Sequence, residues 1–206
     1  MKFRAYILVV VFLVLFMGKQ AQAGSASNPE YQIKAAFLYN FIKFIDWPEE
    51  KVPDSNEPII IGIIGKDPFR DAFEPIKDRT VKGKKVIVER FKGLEELKKL
   101  YGNNQSGLDQ QIEAIRKCHL LFVCSSENQE LKETINLVKD HSVLTVADMK
   151  GFLKSGGTIN FVMKTEKVRF EINVAAAKRA KLKIRSQLLR LAEKIVEEKP
   201  SQKAEN

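Results

Sequence analysis

The chain is poor in the residues that usually build catalytic, metal-binding and disulfide-bonded sites. Its 206 residues include only two cysteines, two histidines and one tryptophan. None of the motifs G-x-S-x-G, H-E-x-x-H, C-x-x-C, G-x-x-x-x-G-K-[ST] and G-x-G-x-x-G occurs. The sequence thus carries no trace of hydrolase, zinc or nucleotide chemistry. We predict a protein that is not an enzyme and has no cofactor or metal.

Long apolar runs are also missing after Met17, so no later segment approaches the roughly 20 residues that a membrane-spanning helix needs. Lys2 and Arg4 precede the one apolar run, residues 5–17, and Ala21-Gln22-Ala23 follows it. This layout predicts a secretory signal peptide over residues 1–23 and a periplasmic protein. An uncleaved N-terminal anchor is the alternative.

Export makes the two cysteines worth testing as a disulfide. Cys118 and Cys124 flank a short apolar run, residues 119–123, that predicts a buried strand. Extended chain would separate their Cα atoms by about 20 Å, whereas a disulfide requires less than about 7 Å. We expect no bridge between Cys118 and Cys124, and two buried thiols. A bridge to another molecule through Cys124 is the alternative.

Short β-branched runs alternate with helical patterns through residues 59–147, which predicts right-handed βαβ units. The expected strands are 59–64, 85–90, 119–123 and 143–147, and the expected helices are 68–77, 94–100, 109–117 and 129–139, the last capped by Ser125 to Asn128. The predicted fold class is therefore α/β, with a largely parallel central sheet flanked by helices.

The end of the chain breaks this alternation. Residues 158–163 and 168–172 predict an antiparallel hairpin with a four-residue loop. Two C-terminal helices are expected after it, one capped by Asn173 and one running from Ser186 to Glu198. We expect a single domain over residues 24–198 and a disordered tail over residues 199–206.

The first helix is predicted from Pro29 to Ile45, with Asn28 as its N-cap. Its aromatic stripe of Ile33, Phe37, Phe41 and Phe44 is interpreted as core, and docking of a partner helix or ligand is the alternative.

Candidate ligand-binding residues follow the predicted strands, where open α/β sheets hold ligands. Lys66 and Asp67 follow the first strand, and Ser125 and Ser126 follow the third. Lys66 and free amides at the next helix start could hold an anion. Because turns and helix caps use the same residue types, a structural role is the alternative. An unrecognised hydrolase is a further alternative function, and Ser125 and Asp148 are the only residues that would support it.

The formal net charge is +9, and the most cationic stretch lies near the end of the chain, at Lys178, Arg179, Lys181, Lys183, Arg185 and Arg190. No exposed aromatics are interleaved there, so we expect a solvated face or an acidic partner, and no nucleic acid.

Several segments together resemble the YfiR family of exported bacterial proteins. The opening match is KAAFLYNFIKF at 34–44 followed by DWP at 46–48. The closing matches are GGTINF at 156–161, VRFEIN at 168–173, AAAKRA at 175–180 and SQLLRLA at 186–192. They occur in the family's order and span almost all of the exported part.

The resemblance implies a periplasmic regulator without chemistry of its own. Family members bind and repress the periplasmic sensor segment of an inner-membrane signalling enzyme, typically a diguanylate cyclase that makes cyclic-di-GMP and promotes biofilm. An outer-membrane peptidoglycan-associated lipoprotein and a homodimer are further expected partners. A periplasmic small-molecule binding protein, resembling half of a solute receptor, is the alternative function.

The resemblance also suggests partner-binding residues, namely Arg169, Glu171 and Arg179. Pairing of Arg169 with Glu171 at the hairpin edge is the structural alternative. The founding type of the family carries a disulfide in the hairpin region, but residues 152–163 contain no cysteine. Redox control is therefore not expected in this chain.

Overall fold

A computed structural model describes residues 28–51 and 57–197, so the predicted signal peptide and tail lie outside the described residues. The helices are α1 (Pro29–Phe44), α2 (Leu94–Tyr101), α3 (Gln105–Lys117), α4 (Leu131–Val138), α5 (Val174–Arg179) and α6 (Ser186–Leu191). The strands are β1 (Ile45–Asp46), β2 (Ile59–Ile64), β3 (Thr80–Val81), β4 (Lys84–Phe91), β5 (Leu120–Val123), β6 (Leu144–Ala147), β7 (Ile159–Lys164), β8 (Lys167–Asn173), β9 (Lys183–Ile184) and β10 (Lys194–Val196).

The strands form one eight-stranded sheet in the order β10-β8-β7-β6-β5-β2-β4-β3, and β1 pairs separately with β9. Strands β4, β2, β5, β6 and β7 are parallel, and β8 returns antiparallel to β7. The predicted α/β class, its largely parallel sheet and its C-terminal hairpin are confirmed.

Each face of the sheet carries its own hydrophobic cluster. One cluster joins α1, α5 and α6 to one face of the sheet, called the α1 face, and includes Leu120 and Phe122 of β5. The other joins α2, α3 and α4 to the opposite face, called the α2 face, and includes Leu121 and Val123. Since side chains alternate along a strand, a continuously apolar β5 serves both clusters.

Helix α1 begins as predicted, because the Asn28 side chain accepts a hydrogen bond from the Glu30 amide at 3.0 Å and Pro29 takes the first helical position. The aromatic stripe is core only in part. Phe41 stacks on Phe161 at a ring separation of 5.7 Å, but Ile33 is 49% exposed.

Two helix predictions need correction. Residues 66–79 form turns and one short 3-10 helix, Glu74–Ile76, because Pro75 cannot donate a helical hydrogen bond and Arg70 has a φ of 51°. Helix α3 begins four residues earlier than predicted, at Gln105. The Asn104 side chain caps it by accepting from the Gly107 amide at 3.0 Å.

The connection after β5 also differs from the prediction. Ser125–Glu127 forms a 3-10 helix, so neither serine caps the following helix, and α4 spans only Leu131–Val138. The Glu127 side chain is buried and accepts a hydrogen bond from the Leu94 amide at the start of α2.

The C-terminal region needs two corrections. Lys164 pairs directly with Lys167, so the hairpin loop has two residues, Thr165 and Glu166, whose φ angles of 49° and 59° indicate a type I′ turn. The last helix ends at Leu191 instead of Glu198, and strand β10 then pairs with β8.

The β7-β8 hairpin projects beyond the carboxyl edge of the sheet. Strand β6 pairs with β7 only at Ile159 and Asn160, and β10 reaches β8 only from Glu171 onward. The remainder of the hairpin is thus a two-stranded ribbon that extends about 13 Å past Asn160.

Candidate functional site

The exposed face of the hairpin carries two of the predicted partner-binding residues. Along β8, Val168, Phe170 and Ile172 are buried on the α1 face. Arg169 and Glu171 alternate with them and therefore point to the α2 face, where Arg169 is exposed and Glu171 half-buried. Within the described residues neither forms an ion pair, so both charges are available to a partner.

Arg179 lies elsewhere. It ends α5, and that helix packs Ala177 into the cluster on the α1 face. The fold therefore does not bring Arg179 onto the sheet face that carries Arg169 and Glu171. Asn173 has a structural role, since its side chain accepts from the Ala176 amide at 2.9 Å and donates to the Leu153 carbonyl at 3.0 Å.

The predicted ligand site is a cavity of about 650 Å³ at the carboxyl ends of β2, β4 and β5. Lys66 and Ser126 both line it, and the Lys66 amide donates to the Ser126 hydroxyl at 3.0 Å. Asp67 is instead held by the Phe69 amide at 2.7 Å and by the Arg90 guanidinium at 2.6 Å. Ser125 is exposed in the 3-10 turn and does not line the cavity.

A buried carboxylate lies at the N-terminus of α2, beside this cavity. Glu127 is only 4% exposed, and it accepts hydrogen bonds from the Leu94 amide at 2.8 Å and the Ser126 hydroxyl at 3.2 Å. Because Leu94 is the first residue of α2, Glu127 satisfies the helix N-terminus from within the chain. Glycine at position 93 leaves room for this carboxylate, since a Cβ there would lie 2.4 Å from the Glu127 Oε1 atom.

A second buried polar cluster connects α1 to the end of β6, and the sequence analysis missed it. The Lys34 Nζ atom lies 2.6 Å from Asp148 and 2.5 Å from Glu30, and the Tyr31 hydroxyl donates to Asp148 at 2.9 Å. The Lys34 side chain is 4% exposed. The only sequence signal was a lysine inside an apolar helix face, which does not identify its partner.

The electrostatics of this cluster favour a structural role. Burial, followed by the neighbouring Asp148 charge, raises the pKa of Tyr31 well above its usual range, so the phenol remains a hydrogen-bond donor. The Lys34 ammonium also lies 4.4 Å from the centre of the Tyr31 ring. These groups satisfy one another and hold the start of α1 beside Asp148.

His119 is a buried structural residue at the amino end of β5. Its Nδ1 atom accepts from the Ile60 amide at 3.1 Å, which leaves the Nε2 proton to be donated to the Lys51 carbonyl at 3.1 Å. Burial, and then the Lys51 charge, lower the pKa of His119 to about 4. The described residues contain no cluster of three metal-ligating side chains.

The two cysteines lie in different clusters at opposite ends of β5. Cys118 packs on the α2 face and Cys124 on the α1 face, and both are buried free thiols. Burial raises the pKa of Cys118 to about 12 and that of Cys124 further, so neither is a reactive thiolate near neutral pH.

A family model described as YfiR/HmsC-like matches residues 31–193. The chain belongs to this YfiR/HmsC-like family, whose members are periplasmic regulators of cyclic-di-GMP signalling. None of the described helices is both long enough and apolar enough to cross a bilayer.

Solved structures support the fold alone. A conserved domain protein from Vibrio cholerae O1 biovar El Tor matches with a TM-score of 0.51 and 9% identity, over 84% of this chain and 62% of its own. An ABC domain in complex with L-Trp, from Streptococcus pneumonia, matches with a TM-score of 0.51 and 10% identity, over 81% of this chain and 60% of its own. The chain thus spans about three fifths of the length of these two structures. No curated protein matches.

Proposed function

We propose that this protein binds the periplasmic sensor segment of an inner-membrane diguanylate cyclase and represses it, so that cyclic-di-GMP synthesis and biofilm formation stay low. Family membership supports the regulatory role. The observation that carries the proposal is the hairpin face itself, where Arg169 is exposed on the projecting ribbon and Glu171 is half-buried at its base, both without ion-pair partners among the described residues.

This hairpin face suits protein recognition because it is rigid and charged. Phe170 anchors β8 from the other side, with its ring 5.0 Å from that of Phe41. The two charges are therefore presented on a strand whose position is set by the core, and little conformational entropy is lost on binding. Arg179, on α5, would contact a second part of the partner or a second partner such as the outer-membrane lipoprotein.

A crosslinked pull-down from the cell envelope tests the proposal. Glu171→Lys and Arg179→Glu are compared with Glu49→Lys and Lys132→Glu, which make the same charge changes at exposed positions elsewhere. We expect the wild type and both controls to recover an inner-membrane cyclase, and Glu171→Lys to lose it. Cyclic-di-GMP should rise in the Glu171→Lys strain and stay low in the controls. Equal recovery by all variants would contradict the proposed surface.

A small-molecule binding function is the second candidate, and the cavity beside Lys66 and Ser126 favours it. Its volume of about 650 Å³ is adequate for a metabolite. Because Glu127 already satisfies the α2 N-terminus, a ligand with a cationic or neutral polar group fits better than a simple anion. A saturating ligand should stabilise the fold by about 2.7 kcal/mol at 100 times its Kd. A thermal-shift screen without any stabilising metabolite would remove this candidate.

A further inference from the structure

One edge of the large sheet is covered over only part of its length. Strand β3 is the outermost strand there, and its two residues pair with the start of β4. The Arg79 carbonyl then accepts from the Val86 amide at 3.1 Å, and Asp78, with a φ of 62°, turns the chain away. The rest of β4, residues 87–91, pairs only with β2 among the described strands and is called the open edge.

The backbone of the open edge directs hydrogen-bonding groups outward. Along a strand, the N–H and C=O groups of successive residues point to opposite sides. The Val86 amide points outward, whereas the Phe91 carbonyl points inward and accepts from the Gly65 amide at 3.1 Å. By this alternation, Val88 and Arg90 both turn their backbone N–H and C=O groups outward. Among the described residues, no backbone group pairs with them on this side.

A groove of about 310 Å³ lies along the open edge. Part of β4 forms one wall, and the turns of residues 70–78 form the other. Phe73 and Ile76 make the second wall apolar, and both belong to the cluster on the α1 face. The Arg90 guanidinium donates to the Arg70 carbonyl at 3.2 Å and so ties β4 to these turns. The groove thus combines an apolar wall with main-chain donors and acceptors.

A second copy of this chain does not suit the open edge. Two copies that paired edge to edge around a two-fold axis would run antiparallel at this interface. Because β3 already covers the start of β4, the axis would have to pass near residue 89 or 90. These registers place Glu89 opposite Glu89, or Arg90 opposite Arg90, and like charges directly opposite each other destabilise a strand pair. The open edge therefore favours a different polypeptide.

We propose that the open edge of β4 binds an extended segment of a partner polypeptide, which joins the sheet as a further strand. The segment's backbone exchanges hydrogen bonds with Val88 and Arg90. Every second side chain of the segment enters the groove beside Phe73 and Ile76, so the segment needs apolar residues at alternate positions. On the other face of the sheet, a neighbouring side chain of the segment covers Ile87, which is 37% exposed.

The main-chain groups of the open edge indicate the class of partner. Donors and acceptors that repeat together at every second residue match the backbone of another strand, whereas lipid and nucleic-acid phosphates supply acceptors only. This proposal goes beyond the proposed repressor function and does not rest on it. The binding is measured without a cyclase, and no residue of the hairpin face takes part.

Peptide selection tests the proposal. Random peptides displayed on phage are selected on the protein from Gly24 onward, since all described elements lie after the predicted signal peptide. The strongest binder is then synthesised twice, once unmodified and once with an N-methyl group on every backbone amide. Amide hydrogen exchange, measured by NMR, locates the binding site of the unmodified peptide.

Two substitutions in the open edge have matched controls. Val88→Pro removes the outward N–H group, and an edge strand tolerates proline where that group faces solvent. Val88→Ala keeps the N–H group and is its control. Ile87→Lys replaces the exposed apolar side chain without changing the backbone. Its control is Leu100→Lys on α2, where Leu100 is 60% exposed.

We expect the selected peptides to carry apolar residues at alternate positions, and the unmodified peptide to slow exchange of the Val88 and Arg90 amides. Val88→Pro and Ile87→Lys should each weaken binding about tenfold, with melting temperatures near that of the wild type, and both controls should bind normally. The N-methylated peptide should not bind.

Three results would overturn the proposal. The first is that no peptide is enriched above background. The second is that the N-methylated peptide binds as well as the unmodified one, since main-chain hydrogen bonds would then play no part. The third is that Ile87→Lys binds the unmodified peptide as tightly as Leu100→Lys does, which would place the peptide elsewhere on the protein even if Val88→Pro failed to fold.

Discussion

At the scale of single residues, burial changes the chemistry of ordinary side chains more than their sequence neighbours do. His119 is surrounded by the Ile60 amide, the Lys51 backbone and the edge of Trp47, whose ring centre is 5.9 Å away. The neutral imidazole satisfies both of its hydrogen bonds in this position. A second proton on Nδ1 would meet the Ile60 N–H group and break that bond.

His119 should therefore make stability depend on pH. Its pKa is about 4 in the folded protein against 6.5 for an ordinary histidine, so the unfolded chain binds the proton more tightly. The neutral His119 side chain therefore contributes to the free energy of unfolding above pH 6.5, and this contribution is lost as the pH falls toward 4. We expect a loss of about 2–3 kcal/mol in the free energy of unfolding over this window, measured by urea denaturation. His119→Gln should make the free energy of unfolding depend less on pH over this window. His141→Gln, at an exposed position, should leave the pH dependence unchanged.

The Lys34 and Asp148 pair predicts a second residue-scale effect. Replacing Lys34 with Met leaves the Asp148 and Glu30 charges without their cation, so the free energy of unfolding should fall by about 3 kcal/mol or more. Adding Asp148→Leu removes one uncompensated charge and should restore part of that loss. Chemical denaturation of the single and double variants provides the check, and a double variant less stable than the sum of the two singles would contradict the pairing.

At the scale of elements, backbone conformation and packing decide where helices and strands end. The sequence pattern located α1, β2, β4, β5, β6 and the hairpin to within about two residues, because apolar periodicity depends only on which side chains are buried. It failed over residues 66–79, where Pro75 and the positive φ of Arg70 produce turns. The predicted cap of α4 was also wrong, because Ser125–Glu127 forms a 3-10 helix, although α4 itself lies within two residues of its predicted bounds.

The hairpin turn offers an element-scale prediction. Thr165 and Glu166 both have positive φ, which costs about 1 kcal/mol or more for residues with a Cβ atom. Replacing them with Asn-Gly, the preferred pair for a type I′ turn, should raise the free energy of unfolding by about 1 kcal/mol. Thermal denaturation measures the change. Lys164→Gly, at a position in regular strand, should lower stability instead, and stabilisation by that control would contradict the turn assignment.

At the scale of the whole molecule, one sheet carries both hydrophobic clusters. Alternate residues of β5 belong to opposite clusters, so loss of packing on either face disturbs the same strand. The charge distribution is also a property of the whole, because α5 and the hairpin place their cations on different faces.

The shared sheet predicts a single cooperative unfolding transition. Phe41→Ala on the α1 face and Leu97→Ala on the α2 face should each lower the free energy of unfolding by about 3–4 kcal/mol. Each variant should still unfold in one step, with circular dichroism and Trp47 fluorescence giving the same midpoint. Separate midpoints for the two probes in either variant would show that the clusters unfold independently.

The candidate site was predicted from the sequence only in part. Arg169 and Glu171 were identified by resemblance, and strand alternation was sufficient to expect them on one face. The position of Arg179 relative to them was not predictable, because it depends on how α5 packs after β8. The pairing of Lys34 with Asp148 joins residues that are 114 positions apart, and local patterns contain no information on such contacts.

The sequence by itself determined the α/β class, the order of most elements, the first helix cap and the family, since these follow from periodicity, capping chemistry and matched motifs. Only the tertiary structure decided which side chains meet. The occupation of the α2 N-terminus by Glu127, the buried Lys34 cluster, the two-residue turn and the projection of the hairpin all depend on distances between segments far apart in the chain. Such distances arise from packing of the complete fold, which no local pattern specifies.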